Sequence, residues 1–184
     1  MRTYLSLLVA ASLVFASSAA LADGALPPPE AQPQAPHSTH WYGYETLATD
    51  LEVTGPVTMV LYAASSAPDT DFVAKLCDVR PDGYVQNIVE GVVRARFRDA
   101  LTAPSPIVPE RVYEYRLDLW ATSHLFKAGH RLRLEVSSSN FPRYDRNPNT
   151  GHELFADAAL ERAHQAVFHD RRYGSRVVLP VIPR

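Results

Sequence analysis

The sequence has little of what enzymes and metal proteins usually display. Its 184 residues include one cysteine, Cys77, so neither an intrachain disulfide nor a paired-cysteine metal site can form. None of its eight glycines lies in the G-x-S-x-G spacing of a serine nucleophile elbow. S-x-x-K, H-E-x-x-H and phosphate-binding Gly-Lys loops are absent as well. The sequence therefore predicts no catalytic residue, no cofactor and no metal site on this chain.

An excess of charge of one sign is also lacking. The formal net charge is −2. This near-balance argues against nucleic acid or an anionic membrane surface as the main partner. Cys77 lies in the apolar run FVAKLCDV, which predicts a buried, unreactive thiol.

Helical periodicity is nearly absent. NTGHELFADAALERAHQ alone has a helix-forming composition, and no apolar stripe persists in it. Elsewhere apolar and polar residues alternate, as expected for strands with one face on a core. About eight such runs predict an all-β fold, a jelly-roll β-sandwich of the galactose-binding-like type. The candidate strands are Leu51–Val53, Val57–Ala63, Asp71–Val79, Val92–Arg98, Arg111–Trp120, His130–Val136, Ala166–His169 and Ser175–Val181.

Both ends of the chain carry further signals. Residues 1–22 have the pattern of a signal peptide, with Arg2, an apolar core over Tyr4–Ala16 and small residues ending in Ala20 and Ala22. We expect export to the periplasm or the extracellular space, and no membrane span after cleavage. Residues 23–40 hold five prolines and predict a flexible linker, which leaves residues 41–184 for the sandwich domain.

Several residues could carry chemistry, but each has a simpler interpretation. Ser123 and His124 are strand neighbours that point to opposite faces, so we expect no catalytic pair. Asp69 and Asp71 could supply half of a calcium site, although aspartates also cap turns. Trp120 continues a regular strand, which favours a core position over a platform for stacking sugars.

The basic stripe of Arg94, Arg96 and Arg98 alternates with apolar residues along one predicted strand. Such a stripe could bind acidic groups of a partner. The balanced net charge instead favours a solvated outer face.

The densest polar segment is VSSSNFPRYDRNPNTG, residues 136–151. Its two prolines remove backbone donors, so side chains must hold the loop. Arg143 and Arg146 bracket Asp145 and could pin it, and the asparagines could bond nearby backbone. We predict a structural and docking loop whose candidate residues are Asn140, Arg143, Tyr144, Asp145, Arg146 and Asn149.

Two long segments, LATDLEVTGPVTMVLYAASSAPDTDFVAKLCDVRPDGY and YEYRLDLWATSHLFKAGHRLRLEVSSSNFPRYDRNPNTG, resemble the C-terminal domain of CocE/NonD-type serine hydrolases. That family includes X-prolyl dipeptidyl-peptidases, cocaine esterase and α-amino-acid ester hydrolases. The resemblance implies a jelly roll that packs against an α/β-hydrolase domain, which carries the nucleophile, acid and histidine. It begins near Tyr44, so the family's first strand or strands are expected to be missing, which would leave an unpaired edge.

The resemblance implies an exported, non-catalytic module with a structural or docking role. The expected partner is an α/β-hydrolase domain or a homologous hydrolase chain. One alternative is a subunit of a split serine hydrolase or dipeptidyl-peptidase. Others are an extracellular module that binds carbohydrate or another ligand, and a fragment that does not fold stably alone.

Overall fold

The fold is an antiparallel β-sandwich, seen in a computed structural model that describes residues 3–8, 40–43, 45–153 and 158–183. Within these ranges nine strands form two sheets. In chain order they are β1 Thr3–Leu8, β2 His40–Gly43, β3 Leu51–Ser65, β4 Asp71–Val79, β5 Val85–Arg94, β6 Tyr113–Phe126, β7 Arg131–Ser137, β8 Gln165–Phe168 and β9 Arg176–Ile182. The predicted all-β sandwich is confirmed.

One sheet has the order β1-β9-β3-β6, and β8 pairs with the end of β3. The other has the order β2-β7-β4-β5. Every strand pairing is antiparallel. The predicted strands Leu51–Val53 and Val57–Ala63 are one long strand, β3, because a register shift between Pro56 and Thr58 absorbs the intervening turn-like residues.

The core follows from the alternation of side chains. Leu132, Leu134 and Val136 of β7 are buried, while the residues between them are charged and more exposed. They face the alternate residues of β6, where Tyr115, Leu117 and Leu119 are almost completely buried. β4 is the exception, since it is buried on both faces. It is the central strand that anchors the polar site described below.

The segment Val92–Arg98 is not one strand. β5 ends at Arg94, and Ala95–Phe97 form a 3-10 turn. The expected solvated basic stripe is therefore wrong. The side chains of Arg94, Arg96 and Arg98 are only 13%, 10% and 8% exposed. Arg94 and Arg96 pair with buried aspartates, and Arg98 donates to the carbonyls of Ala95 and Ser105.

Trp120 is not a core residue, although the sequence favoured that position. It is 66% exposed and has a positive φ of 68°. Strand alternation places it with the outward residues Glu114, Arg116 and Asp118, which is the signal that the prediction overlooked. Leu119 and Trp120 together lie opposite Val57, at the register shift, and this bulge lets Trp120 adopt its left-handed backbone.

Two strands precede β3, and they occupy one edge of each sheet. β2 borders β7, and β1 borders β9 through six register pairs. The predicted signal peptide therefore overlaps a strand, and the expected open edge is filled by Thr3–Leu8 in the full chain. Residues 9–39, which include most of the predicted linker, lie outside the described residues.

The helix-like composition after Asn149 does not produce a helix in the parts of that segment that the structure describes. Among the described residues no helix is long and apolar enough to cross a bilayer. Cys77 is 2% exposed, and burial raises the pKa of its thiol to about 11. The prediction of a buried, unreactive cysteine is confirmed, because at neutral pH the thiol is protonated and out of reach of solvent.

The two sheets approach most closely where β5 crosses β6. A Cβ added at Gly91 would lie 2.0 Å from the carbonyl oxygen of Asp118 and 3.3 Å from the Cα of Leu119. Only glycine fits between these two backbones. This contact closes the side of the sandwich between β5 and β6.

We expect Gly91→Ala to lower the free energy of unfolding by about 1–3 kcal/mol, the usual cost of overpacking a core. Denaturant titration of the purified chain measures the loss. The matched control is Gly174→Ala, because a Cβ there meets nothing nearer than the carbonyl oxygen of Asp170 at 3.9 Å. Equal stability of the two variants would contradict the close contact.

Candidate functional site: the polar loop

The polar loop is defined here as Ser138–Gly151, the segment that follows β7. It contains all six residues that the sequence singled out. The structure shows that the loop lies against one edge of the sandwich, where β4 begins and β5 ends. Side-chain hydrogen bonds hold it there, as the two prolines required.

Two buried carboxylates lie beneath the loop. Asp69 is fully buried and Asp71 is 3% exposed. Asn147 donates from its amide nitrogen to both of them, to Asp69 Oδ2 and Asp71 Oδ1, at 2.9 Å each. The neutral amide of Asn147 therefore links the two carboxylates by donating one hydrogen bond to each.

Each acid also binds an arginine. Arg94 donates to both oxygens of Asp71, at 2.8 and 2.9 Å, in a bidentate pair. Arg96 donates to Asp69 from its side chain at 2.7 Å and from its backbone at 2.9 Å. The hydrogen bond to Asp71 is the main reason that the pKa of Arg94 is raised. These contacts argue against the calcium interpretation for Asp69 and Asp71, since all four carboxylate oxygens already accept hydrogen bonds from Arg94, Arg96 or Asn147.

Asp145 binds Arg94, and not its chain neighbours Arg143 and Arg146 as the sequence suggested. The distance from Arg94 Nη2 to Asp145 Oδ2 is 3.1 Å. Arg94 therefore bridges Asp71 of the sandwich and Asp145 of the loop. The bracketing arginines have other contacts, which direct them away from Asp145.

Arg143 reaches across the outer face of β5. Its Nε lies 2.8 Å from Oε1 of Glu90, whose side chain is 8% exposed. Glu90 also accepts a hydrogen bond from Asn87 and lies 3.7 Å from Lys75. This contact anchors the first half of the loop, as Asn147 anchors the second half.

The outward surface of the loop is aromatic and cationic. Phe141 is 58% exposed, and the guanidinium carbon of Arg146 lies 4.5 Å from its ring centroid. Tyr144 is half-buried, with Arg143 5.9 Å from its ring. Among the described residues no carboxylate forms an ion pair with Arg146. We call Phe141, Tyr144 and Arg146 the loop face.

The two ends of the loop are held by backbone contacts. The carbonyl of Asn140 accepts hydrogen bonds from the backbone N–H groups of Arg143 and Tyr144. Asn149 has a φ of 64°, a left-handed conformation that asparagine tolerates, and its side-chain amide donates to the carbonyl of Glu161 at 2.8 Å. The predicted support by side chains is thus seen at the Asn149 end, whereas the Asn140 end is held by backbone hydrogen bonds.

The structure separates Ser123 from His124. The Ser123 hydroxyl lies 3.1 Å from that of Thr54, whereas His124 Nε2 lies 2.9 Å from the carboxylate of Asp78. Asp78 also binds His130, at 2.8 Å. Within the described ranges no serine hydroxyl contacts either imidazole, and no group of three or more His, Cys, Asp or Glu could hold a metal ion.

The sequence analysis identified residues of the polar loop as the candidate site, but it missed the residues of the sandwich that the loop binds. Asn147 was assigned only to local backbone contacts, and Asp71 and Arg94 were considered for other roles. Asp71 opens β4 and Arg94 ends β5, so an antiparallel hairpin pairs them directly. That pairing could have been inferred from the two strands and the turn between them.

The network makes a quantitative prediction. Asp71→Ala should lower the free energy of unfolding by about 3–5 kcal/mol, because it leaves Arg94 buried without its bidentate partner. Asp145→Ala should lower it by about 0.2–1 kcal/mol, a small but measurable loss, since the Asp145 side chain is 49% exposed. Thermal and denaturant unfolding measure both. An Asp145→Ala chain with unchanged stability would count against an anchoring role for that residue.

Comparison with known proteins agrees with this architecture. The family model described as "X-Pro dipeptidyl-peptidase C-terminal non-catalytic domain" matches residues 15–178. Cocaine esterase of Rhodococcus sp. (strain MB1 Bresler) is 44% identical over 149 residues, which cover 78% of this chain and 25% of that protein.

Solved structures give the same result. An aminopeptidase from the marine sediment archaeon Thaumarchaeota archaeon superimposes with a TM-score of 0.75 at 34% identity, covering 79% of this chain and 26% of the other. An α-amino acid ester hydrolase gives a TM-score of 0.75 at 30% identity with the same coverage. The chain spans about a quarter of the length of the relatives it matches. It belongs to the X-Pro dipeptidyl-peptidase C-terminal non-catalytic domain family, the β-sandwich at the C-terminal end of CocE/NonD-type hydrolases.

Proposed function

We propose that this chain is an exported, non-catalytic docking module that binds an α/β-hydrolase through the loop face. The observation that carries the proposal is the way the polar loop is held. Three separate anchors, at Glu90, Arg94 and the Asp69–Asp71 pair, fix a loop whose aromatic and cationic side chains remain exposed.

A rigid loop of this kind suits a protein interface. Pre-ordered side chains lose little conformational entropy on binding, so more of the contact energy appears as affinity. Arginine and aromatic residues are also the types most enriched among residues that dominate interface energy. A loop needed only for its own stability would not require Phe141 at 58% exposure.

The relatives support a hydrolase as the partner. They are named as an esterase, an aminopeptidase and an ester hydrolase, and this chain matches only about a quarter of each. In such relatives the sandwich and the catalytic part share one polypeptide. The proposed partner of this chain is therefore a hydrolase that cleaves ester or amide bonds.

Export is the second part of the proposal. The basic start, the apolar core and the small residues at Ala20 and Ala22 support removal of residues 1–22 by signal peptidase. Removal takes away Arg2 and no acidic residue, so the net charge changes only from −2 to −3. The partner hydrolase would share the periplasmic or extracellular location.

The test is capture of an active serine hydrolase. The tagged chain, recovered from the envelope of its host, should retain a protein that reacts with a fluorophosphonate probe and that mass spectrometry identifies as an α/β-hydrolase. Tyr144→Ala and Arg146→Ala should each reduce the captured probe signal at least fivefold, as expected for residues that contribute about 1 kcal/mol or more to an interface. The purified chain alone should hydrolyse neither p-nitrophenyl esters nor Xaa-Pro anilides above buffer.

Matched controls come from the rest of the surface. Tyr84 is 55% exposed, and the side chain of Arg116 is 76% exposed, and both lie outside the loop. Tyr84→Ala and Arg116→Ala should leave capture unchanged. Equal capture by the loop variants and by these controls would show that the loop face does not contact the hydrolase.

One observation favours a second candidate, a module that binds carbohydrate. Trp120 is 66% exposed, although its left-handed backbone costs a bulky residue about 1–3 kcal/mol. Strain of this kind is often retained where a side chain has a function. A flat exposed indole is suited to stacking on a sugar ring.

Trp120→Gly tests this candidate without harming the fold, because glycine relieves the positive φ. The variant should be as stable as the parent chain or more stable. If Trp120 binds sugars, it should also lose all signal on a glycan array. An array without signal for the parent chain would eliminate the carbohydrate candidate and leave hydrolase docking.

A further inference from the structure

The outer edge of β9 is covered by β1, a strand that lies within the predicted signal peptide. Thr3–Leu8 pairs antiparallel with Arg176–Val181 through six consecutive residues. The same segment lies inside the predicted signal peptide, residues 1–22. Residues 3–8 cannot remain in the sheet once the leader has been removed. Cleavage of the leader would therefore also remove β1 from the fold.

Removal would leave backbone donors and acceptors of β9 without partners. An open edge of this kind pairs readily with another strand. Natural edges are usually protected by charged side chains in the strand. β9 has one, Arg176 at its first position, and the six residues that follow, Val177–Ile182, carry no charge. Val177 and Leu179 are buried, at 3% and 0% exposure, so the strand also holds part of the core in place.

Within the uncharged run, Pro180 is the residue that could interrupt a ladder, because it has no N–H. The position of Pro180 limits its effect on the outer ladder. The ladder between β9 and β3 is interrupted beside it, between Val53 and Thr58. The ladder to Thr3–Leu8 keeps its register through Pro180, which pairs with Tyr4. The outer edge therefore remains able to form a continuous ladder.

We propose that the β9 edge is a pairing site for β9 of a second copy of this chain, and that Thr3–Leu8 blocks it until the leader is removed. Two antiparallel copies of one strand, related by a twofold axis, present the same donors and acceptors to each other. The pairing needs no other segment of the chain, because β9 of each copy, seven residues long, forms one side of the ladder. The result is one sheet that runs through both copies.

This pairing rests on the proposed removal of the leader, but it is independent of the proposed docking role. The polar loop is anchored on β4 and β5, which belong to the other sheet. A dimer through β9 would leave the loop face of each copy exposed. It would present two docking sites to a hydrolase, and failure of either proposal would leave the other standing.

The test uses the full chain, residues 1–184, made by cell-free synthesis so that the leader is kept. The variant Leu5→Pro/Ser6→Pro places proline at adjacent residues, whose N–H groups point to opposite sides of a strand, so one of them must face β9. The matched control Leu5→Thr/Ser6→Thr keeps both N–H groups. Light scattering after size exclusion measures mass, and hydrogen exchange measures protection of the β9 amides.

The parent chain and the threonine control should be monomers with protected β9 amides. The proline variant should have twice the monomer mass, with β9 still protected by its copy. An excess of the synthetic peptide Arg2–Val9 should return that variant to monomers, whereas the same peptide carrying the two prolines should not.

Three results would overturn the proposal. One is a monomeric proline variant whose β9 amides exchange rapidly, which would mean that the edge accepts no strand from a copy. Another is a dimer that the peptide Arg2–Val9 does not dissociate, which would place the contact elsewhere. The third is a proline variant that fails to fold, because a strand that blocks an edge reversibly cannot be essential to the fold.

Discussion

The arrangement of the polar loop depends on two carboxylates that are buried at the start of β4. Asp69 and Asp71 are almost completely removed from water, and such groups are stable only if they are paired and hydrogen-bonded. Arg94 and Arg96 supply the charge, and Asn147 supplies the remaining donors. Because the acids need Asn147, the loop that carries it has to fold back onto the sandwich edge.

That requirement connects stability to the surface available for binding. The inner side of the loop satisfies buried acids, which leaves Phe141, Tyr144 and Arg146 on the outer side. The same elements show why the chain has no evident catalytic centre in its described part. His124 and His130 are both engaged with Asp78, and Ser123 contacts Thr54. The hydroxyl and imidazole groups that could resemble an active site are therefore engaged in structural hydrogen bonds.

Local patterns in the sequence predicted much of the fold but failed where a partner lies far along the chain. The alternation in β6 and β7 correctly gave the strands and their buried faces. It failed for Arg94 and Arg96, which look like part of a solvated stripe until Asp71 and Asp69 are placed beside them. It failed for Trp120 because apolar character was given more weight than alternation, which places that residue outside. In the loop, the contacts of Asn147 with the two buried acids were missed.

The sequence by itself determined the class of fold, the family resemblance and the buried thiol. These depend on period-two alternation and on long local motifs, and both can be read without knowing which strands are neighbours. Only the tertiary structure decided that Asp145 pairs with Arg94, that Gly91 must pass beneath Asp118, and that Thr3–Leu8 borders β9. Each of these contacts joins residues that are distant in the chain. Their energies depend on burial and distance, which exist only once the sheets have stacked.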